Sequence, residues 1–212
     1  MRRMFKSVVG VMTFAAFLVG CGGGGGGGGL KNSDPGDNDV KVVVAFGDSI
    51  TQGSECPCTP YPARASAATG MTFVNCGVGG SRAGDNVGRT KQAIDKYHPG
   101  FMVILYGVND IIMSRSIGSI VGALGSMVDI CRDNHVVPVL MSYPLPITGH
   151  EVFRPRTRTL NEEIKSLASS KGVKLVNLES EFNCSPEFYM EDGLHPNDAG
   201  TALVALAVAD LF

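Results

Sequence analysis

Lys41-Val42-Val43-Val44-Ala45-Phe46-Gly47-Asp48-Ser49-Ile50-Thr51 is the stretch on which the fold turns. Residues 42–46 form an unbroken apolar run, rich in β-branched side chains, with no polar alternation. That is the pattern of a strand buried on both faces, as in a parallel sheet covered by helices. Gly47-Asp48-Ser49 then supplies turn chemistry at the strand's carboxyl end. A serine there either caps a short following helix or acts as a nucleophile. The second role needs a base beside it, because a hydroxyl is a weak nucleophile at its free pKa. Asp192-Gly193-Leu194-His195-Pro196 carries such a base, together with a carboxylate able to fix its tautomer. Ser, His and Asp occur in several chain orders on unrelated folds, so their order here is no obstacle.

Outward from this strand, apolar runs alternate with helical patterns. Further strands are expected at Thr72–Asn75, Phe101–Tyr106, Val136–Met141 and Val173–Val176. Helices are expected over Tyr61–Thr69, Asp85–Tyr97, Ser116–Asn134 and Thr157–Lys171. Asn197 or Asp198 can cap a last helix running to Leu211. Strands alternating with helices of this length predict an α/β fold with a parallel sheet and helices on both faces. Sites in such sheets lie beyond the carboxyl ends of the strands. Ser49, Gly80 and Asn109 each follow their strand within a few residues, so the topology gathers them at one edge.

Four segments, in order, carry a family resemblance. Gly47-Asp48-Ser49-Ile50 resembles block I of the GDSL, or SGNH, hydrolases. Asn75-Cys76-Gly77-Val78-Gly79-Gly80 resembles block II, Gly107-Val108-Asn109-Asp110 block III, and Asp192-Gly193-Leu194-His195 block V. The resemblance implies a three-layer α/β/α sandwich of flavodoxin-like type, with about five parallel strands. It implies Ser49 as nucleophile, His195 as general base and Asp192 as orienter of His195. It also implies an oxyanion hole made by the backbone N–H of Ser49, the N–H of Gly80 and the side-chain amide of Asn109. The glycine donor has two neighbouring candidates, because Gly79 adjoins Gly80 and Ser81 stands where the family often has aspartate. Asp48 and Asp110 are read as structural supports of their loops.

The activity so implied is hydrolysis of short or medium carboxylic esters. The alternatives are a carbohydrate O-acetylesterase, a lysophospholipase or thioesterase, and, in a different class, a surface-binding lipoprotein without catalysis. No metal or organic cofactor is expected, since the chain holds no HExxH, P-loop or dinucleotide fingerprint. The expected partner is a small-molecule or cell-envelope ester, and the oligomeric state is not legible.

Composition bounds the rest. The chain has 212 residues, 44% hydrophobic, enough for one domain with a sizeable core. Its formal charge is −2, and a mildly acidic surface gives no electrostatic reason to bind nucleic acid. Arg2, Arg3 and Lys6 precede an apolar stretch, Val8 to Val19, that is short for a spanning helix. Leu18-Val19-Gly20-Cys21 then resembles the lipobox of bacterial lipoproteins. Residues 1–20 are therefore expected to be a leader, and Cys21 the lipidated first residue of an extracytoplasmic, membrane-anchored protein. Residues 21–39, with glycine at every position from 22 to 29, read as a flexible spacer ahead of a domain spanning 40–212.

Cys76 and Cys131 fall in apolar patterns and are expected to be buried thiols. Cys56, Cys58 and Cys184 fall in loops that border the active-site mouth in the resembled family. A disulfide between Cys184 and either Cys56 or Cys58 is the expectation in an oxidising compartment. Arg154, Arg156 and Arg158 read as a solvated helix entry rather than a contact for an anionic acyl group. Ile111, Ile112 and Met113 are open to either an acyl pocket or core packing.

Overall fold

The computed structural model describes residues 29–212. The leader, Cys21 and glycines 22–28 lie outside the described residues. The sheet contains β1 (Asp39–Gly47), β2 (Thr72–Asn75), β3 (Pro99–Leu105), β4 (Val137–Met141) and β5 (Lys174–Val176). Their order is β2-β1-β3-β4-β5, and every pairing is parallel. Between and after them run α1 (Ser49–Gln52), α2 (Tyr61–Thr69), α3 (Ala83–Tyr97), α4 (Val108–Ile112), α5 (Ile117–Asp133), α6 (Arg154–Lys171), α7 (Leu178–Phe182) and α8 (Asp198–Ala209). Helices α3, α5 and α6 pack side by side on one face, and α2 and α8 on the other. This is the expected three-layer α/β/α sandwich. Among the described residues, no helix is long and apolar enough to cross a membrane.

The sequence explains why these elements form. All of β3 and the last five residues of β1 are buried, as central strands covered on both faces must be. The amphipathic α5 begins at Ser116, whose hydroxyl accepts from the Ser119 N–H as an N-cap. Its buried stripe, Ile120, Leu124, Met127, Val128 and Cys131, follows helical spacing. α8 starts the same way at Asn197, which caps the Gly200 N–H. α6 begins three residues earlier than its periodicity suggests, because Pro155 falls in its first turn, where a missing N–H costs nothing.

The strand order reverses between β1 and β3, because the chain passes after β1 to β2 on one side and after β3 to β4 on the other. Such a switch point opens a crevice beyond the carboxyl ends of the strands. Ser49 follows β1 and Asn109 follows β3, so the two flank that crevice.

The chain ahead of β1 is less free than its composition suggests. The Leu30 N–H donates to the Leu211 carbonyl. The Asn32 amide donates to the carbonyls of Gly100 and His135, and that of Asn38 to the Asn134 carbonyl. Residues 30–38 are therefore seated along the amino edge of the sheet, opposite the crevice. Composition marks this segment as turn-rich, but cannot show that its polar side chains find carbonyls at strand starts and helix ends.

Candidate active site

Ser49 opens α1 immediately after β1, and its hydroxyl lies 2.9 Å from His195 Nε2. His195 Nδ1 lies 2.6 Å from Asp192 Oδ2. The structure thus joins Ser49, His195 and Asp192 in one hydrogen-bonded line across 146 residues of sequence. Locally, Asp192 folds its own turn. Its Oδ1 accepts the backbone N–H groups of Leu194 and His195, at 2.8 and 3.0 Å, while Oδ2 faces the imidazole. Gly193 permits this because its φ is +68° and a side chain there would strike the Thr148 carbonyl at 2.0 Å. Partial burial would raise the Asp192 carboxyl, but the hydrogen bonds from His195 and Leu194 outweigh it and hold the group below its ordinary value. The carboxylate is therefore charged where it meets the ring.

Contacts from the loop after β4 fix this turn from outside. His150 Nδ1 donates to the Asp192 carbonyl at 2.7 Å, and the Ile147 N–H donates to the Gly193 carbonyl at 2.7 Å. Tyr189 sends its hydroxyl to the Leu145 carbonyl. His150 lacks any sequence context that would mark it, because its partner is a backbone carbonyl in a distant loop.

On the other side of Ser49 stands Asn109, on α4. Its amide donates to the Ser81 carbonyl at 3.1 Å and reaches the Asp48 carboxylate at 3.4 Å. Gly80 has a φ of +71° in the turn Val78–Ser81, closed by the Ser81 N–H on the Val78 carbonyl. The Gly79 N–H is already taken by Gln52 Oε1 at 2.7 Å. The Gly80 N–H has no partner among the described residues' hydrogen bonds. Of the two glycines, Gly80 is thus the one whose N–H is open among the described residues.

Asp48, next to Ser49 in the chain, is fully buried. Its Oδ1 accepts the Ile50 N–H at 3.0 Å, and its Oδ2 accepts the Tyr143 hydroxyl at 2.6 Å. Burial pushes the carboxyl up to about 6, against the opposing pull of those hydrogen bonds and of nearby His195. Asp110 accepts the Ala83 N–H at the start of α3, in keeping with a supporting role.

The disulfide expectation is corrected. Cys56 pairs with Cys58, and Cys184 is a free, half-buried thiol after α7. The Cα atoms of Cys56 and Cys58 are 5.1 Å apart, within ordinary disulfide range. Two cysteines separated by one proline meet with almost no loop to close, whereas Cys184 packs against the core. Arg154 and Arg156 are tied to the carbonyls of Pro146, Ile111 and Arg115, and Arg158 to Glu179. They brace the start of α6 and do not line the crevice. Ile111 is core, while Met113 is 61% exposed.

Likeness to known proteins identifies a hydrolase that acts on ester bonds. The chain belongs to the GDSL-like lipase/acylhydrolase family, whose model matches residues 45–203. It is 25% identical, over 79% of its length and 86% of that protein's, to a protein of Vibrio mimicus named arylesterase. Among solved structures it resembles a member of the lipolytic protein G-D-S-L family from Veillonella parvula, at 17% identity and a TM-score of 0.71, covering 81% of this chain and 97% of that one. It also resembles an acetylxylan esterase from Geobacillus stearothermophilus, at 18% identity and a TM-score of 0.67, covering 81% and 93%.

Proposed function

We propose that the protein hydrolyses short- and medium-chain carboxylic esters through Ser49, His195 and Asp192. The observation that carries this reading is the unbroken hydrogen-bonded line from the Ser49 hydroxyl to the Asp192 carboxylate. In this mechanism His195 Nε2 takes the Ser49 proton as Oγ attacks the ester carbonyl. Asp192 stabilises the imidazolium and keeps its tautomer. The oxyanion of the tetrahedral intermediate is met by the N–H groups of Ser49 and Gly80 and by the Asn109 amide. His195 then returns the proton to the leaving alcohol, and water repeats the cycle on the acyl-enzyme.

A second reading, a carbohydrate O-acetylesterase, is supported by the likeness to an acetylxylan esterase.

We further propose that the protein is an extracytoplasmic lipoprotein anchored through Cys21. Residues 30–38 run along the edge of the sheet opposite Ser49. Release of a Cys21→Ser variant into the soluble fraction tests the anchor.

The test of the activity is hydrolysis of p-nitrophenyl esters from acetate to palmitate, wild type against Ser49→Ala. Loss of turnover in the variant supports the esterase, and a sharp maximum at acetate supports the O-acetylesterase. Full activity in Ser49→Ala would refute the mechanism.

A further inference from the structure

Two consecutive glycines form the middle of the turn Val78-Gly79-Gly80-Ser81, and Gly80 has the positive φ that a type II turn requires at its third residue. With glycine at both central positions, other turn types are also open to this backbone. They differ chiefly in the orientation of the peptide between Gly79 and Gly80. The Gly80 N–H belongs to that peptide, so a flip would turn it away from its present direction. A Cβ built on Gly80 meets nothing within 4 Å, whereas one on Gly79 would strike Gln52 Oε1 at 2.8 Å. What holds the turn is polar. Ser81 Oγ donates to the Val78 carbonyl at 2.7 Å, Asn109 donates to the Ser81 carbonyl, and Gln52 Oε1 accepts the Gly79 N–H at 2.7 Å.

Gln52 is the last residue of α1, the helix that Ser49 opens. Its backbone is tied to the same loop, since the Asn75 amide donates to the Gln52 carbonyl at 3.2 Å. Its side chain is exposed, so burial does not account for the bond it makes. From these contacts we infer that Gln52 is a positioning residue. It fixes Gly79 so that the Gly80 N–H, and not the Gly79 N–H, is presented to the oxyanion. It also makes the nucleophile's helix and the donor loop one rigid unit. The assignment rests on the esterase reading above and adds to it a residue that touches no reacting atom.

The test compares Gln52→Met, of similar length but without an acceptor, with Gln52→Glu, which keeps one. The measurements are kcat and KM on p-nitrophenyl acetate, the rate at which an organophosphonate labels Ser49, and hydrogen exchange of the Gly79 amide. Gln52→Met is expected to lower kcat and labelling about tenfold, the factor one lost hydrogen bond typically carries. KM should stay within about twofold and the melting temperature within about 2 °C. The Gly79 amide should exchange faster. Gln52→Glu keeps an acceptor for the Gly79 N–H, so its Gly79 amide should exchange at the wild-type rate, although a carboxylate this close to the oxyanion is unscreened and lowers kcat by itself. A Met variant with wild-type kcat, or a Glu variant whose Gly79 amide exchanges as fast as in Gln52→Met, overturns the assignment. Unchanged Gly79 exchange in Gln52→Met overturns the clamp by itself, even where no ester is turned over. A wild-type protein inert to both esters and phosphonate refutes the esterase reading instead.

Discussion

Two histidine–aspartate pairs stand at opposite edges of the same sheet. At the carboxyl edge, His195 meets Asp192 at 2.6 Å, with the imidazole side chain 16% exposed and Ser49 on its other nitrogen. At the amino edge, His135 meets Asp34 at 3.2 Å, with side chains 52% and 82% exposed. The residue types are identical, and the surroundings differ. Asp192 is held by two backbone N–H groups in its own turn and backed by His150. Asp34 sits on the segment preceding β1, beside a cavity of about 460 Å³ lined by Leu30, Asn32, Arg132 and Lys174. Among the described residues the His135 ring bonds to no hydroxyl. What sets the His195 pair apart is the Ser49 hydroxyl on its other nitrogen and the contacts that hold the Asp192 turn, neither of which cavity size reveals.

The comparison breaks most plainly at the two histidines. His195→Ala should lower kcat/KM by about 10⁴ or more, as losses of triad members do. His135→Ala should leave it within about twofold. Steady-state kinetics on one short ester measure both, and a comparable loss in the two variants would erase the distinction between the edges. Next in size is Asn109→Ala, expected to lower kcat by about 10²–10³ with little change in KM, since an oxyanion donor acts on the transition state. A loss confined to KM would move Asn109 from oxyanion binding to substrate binding.

The carboxyl edge also carries a cost that the amino edge does not. Asp48 has its carboxyl raised to about 6, against an ordinary value near 3.9 when unfolded. Between those values the native state binds more protons than the unfolded state, so this group lowers stability as pH rises from about 4 to 6. Above about 6 the full penalty applies, on the order of 3 kcal/mol. Asp48→Asn keeps an acceptor for Tyr143 and removes the charge. Its unfolding free energy relative to wild type should rise by about 3 kcal/mol between pH 4 and pH 8, measured by urea denaturation. A difference independent of pH would mean that Asp48 titrates in the fold as it does in the unfolded chain, so that its burial carries no net cost. Cost concentrated next to a nucleophile is what a site selected for chemistry over stability contains.

These contrasts also mark what sequence can carry. The apolar run of β1, the helix Tyr61–Thr69 between Pro60 and Gly70, and the turn Asp192–His195 are local patterns, and each appears in the structure where its residues indicate. Ser49, Asn109 and Gly80 were legible because an α/β topology brings strand ends together. Tyr143 under Asp48, Gln52 on Gly79 and His150 behind Asp192 were not legible. Their partners lie 95, 27 and 42 residues away, and two of the three bonds involve backbone groups. No spacing rule reports a side chain that meets a distant carbonyl or N–H. The same holds for the cysteines, where compartment chemistry suggested a disulfide but only the fold shows which thiols face each other.

The smallest effect sharpens the comparison from the amino edge. The Asn32 amide donates to two carbonyls, Gly100 at 3.0 Å and His135 at 2.7 Å, stitching the segment before β1 to β3 and to the loop after α5. Asn32→Ala removes both donors and leaves two acceptors to water at a partly exposed site. The expected loss is about 1 kcal/mol, because each exchanged hydrogen bond contributes little net and water replaces it. For a domain of this size that is a fall of about 2–4 °C in melting temperature. Ester turnover at 25 °C should not change, since β3 runs seven residues from Gly100's neighbourhood to Leu105 beneath the crevice, and its buried packing does not depend on Asn32. Calorimetry and kinetics on the same preparation decide the matter. A fall in kcat without a fall in melting temperature would show that the two edges are coupled through the sheet, and that the amino edge contributes to catalysis as well as to the fold.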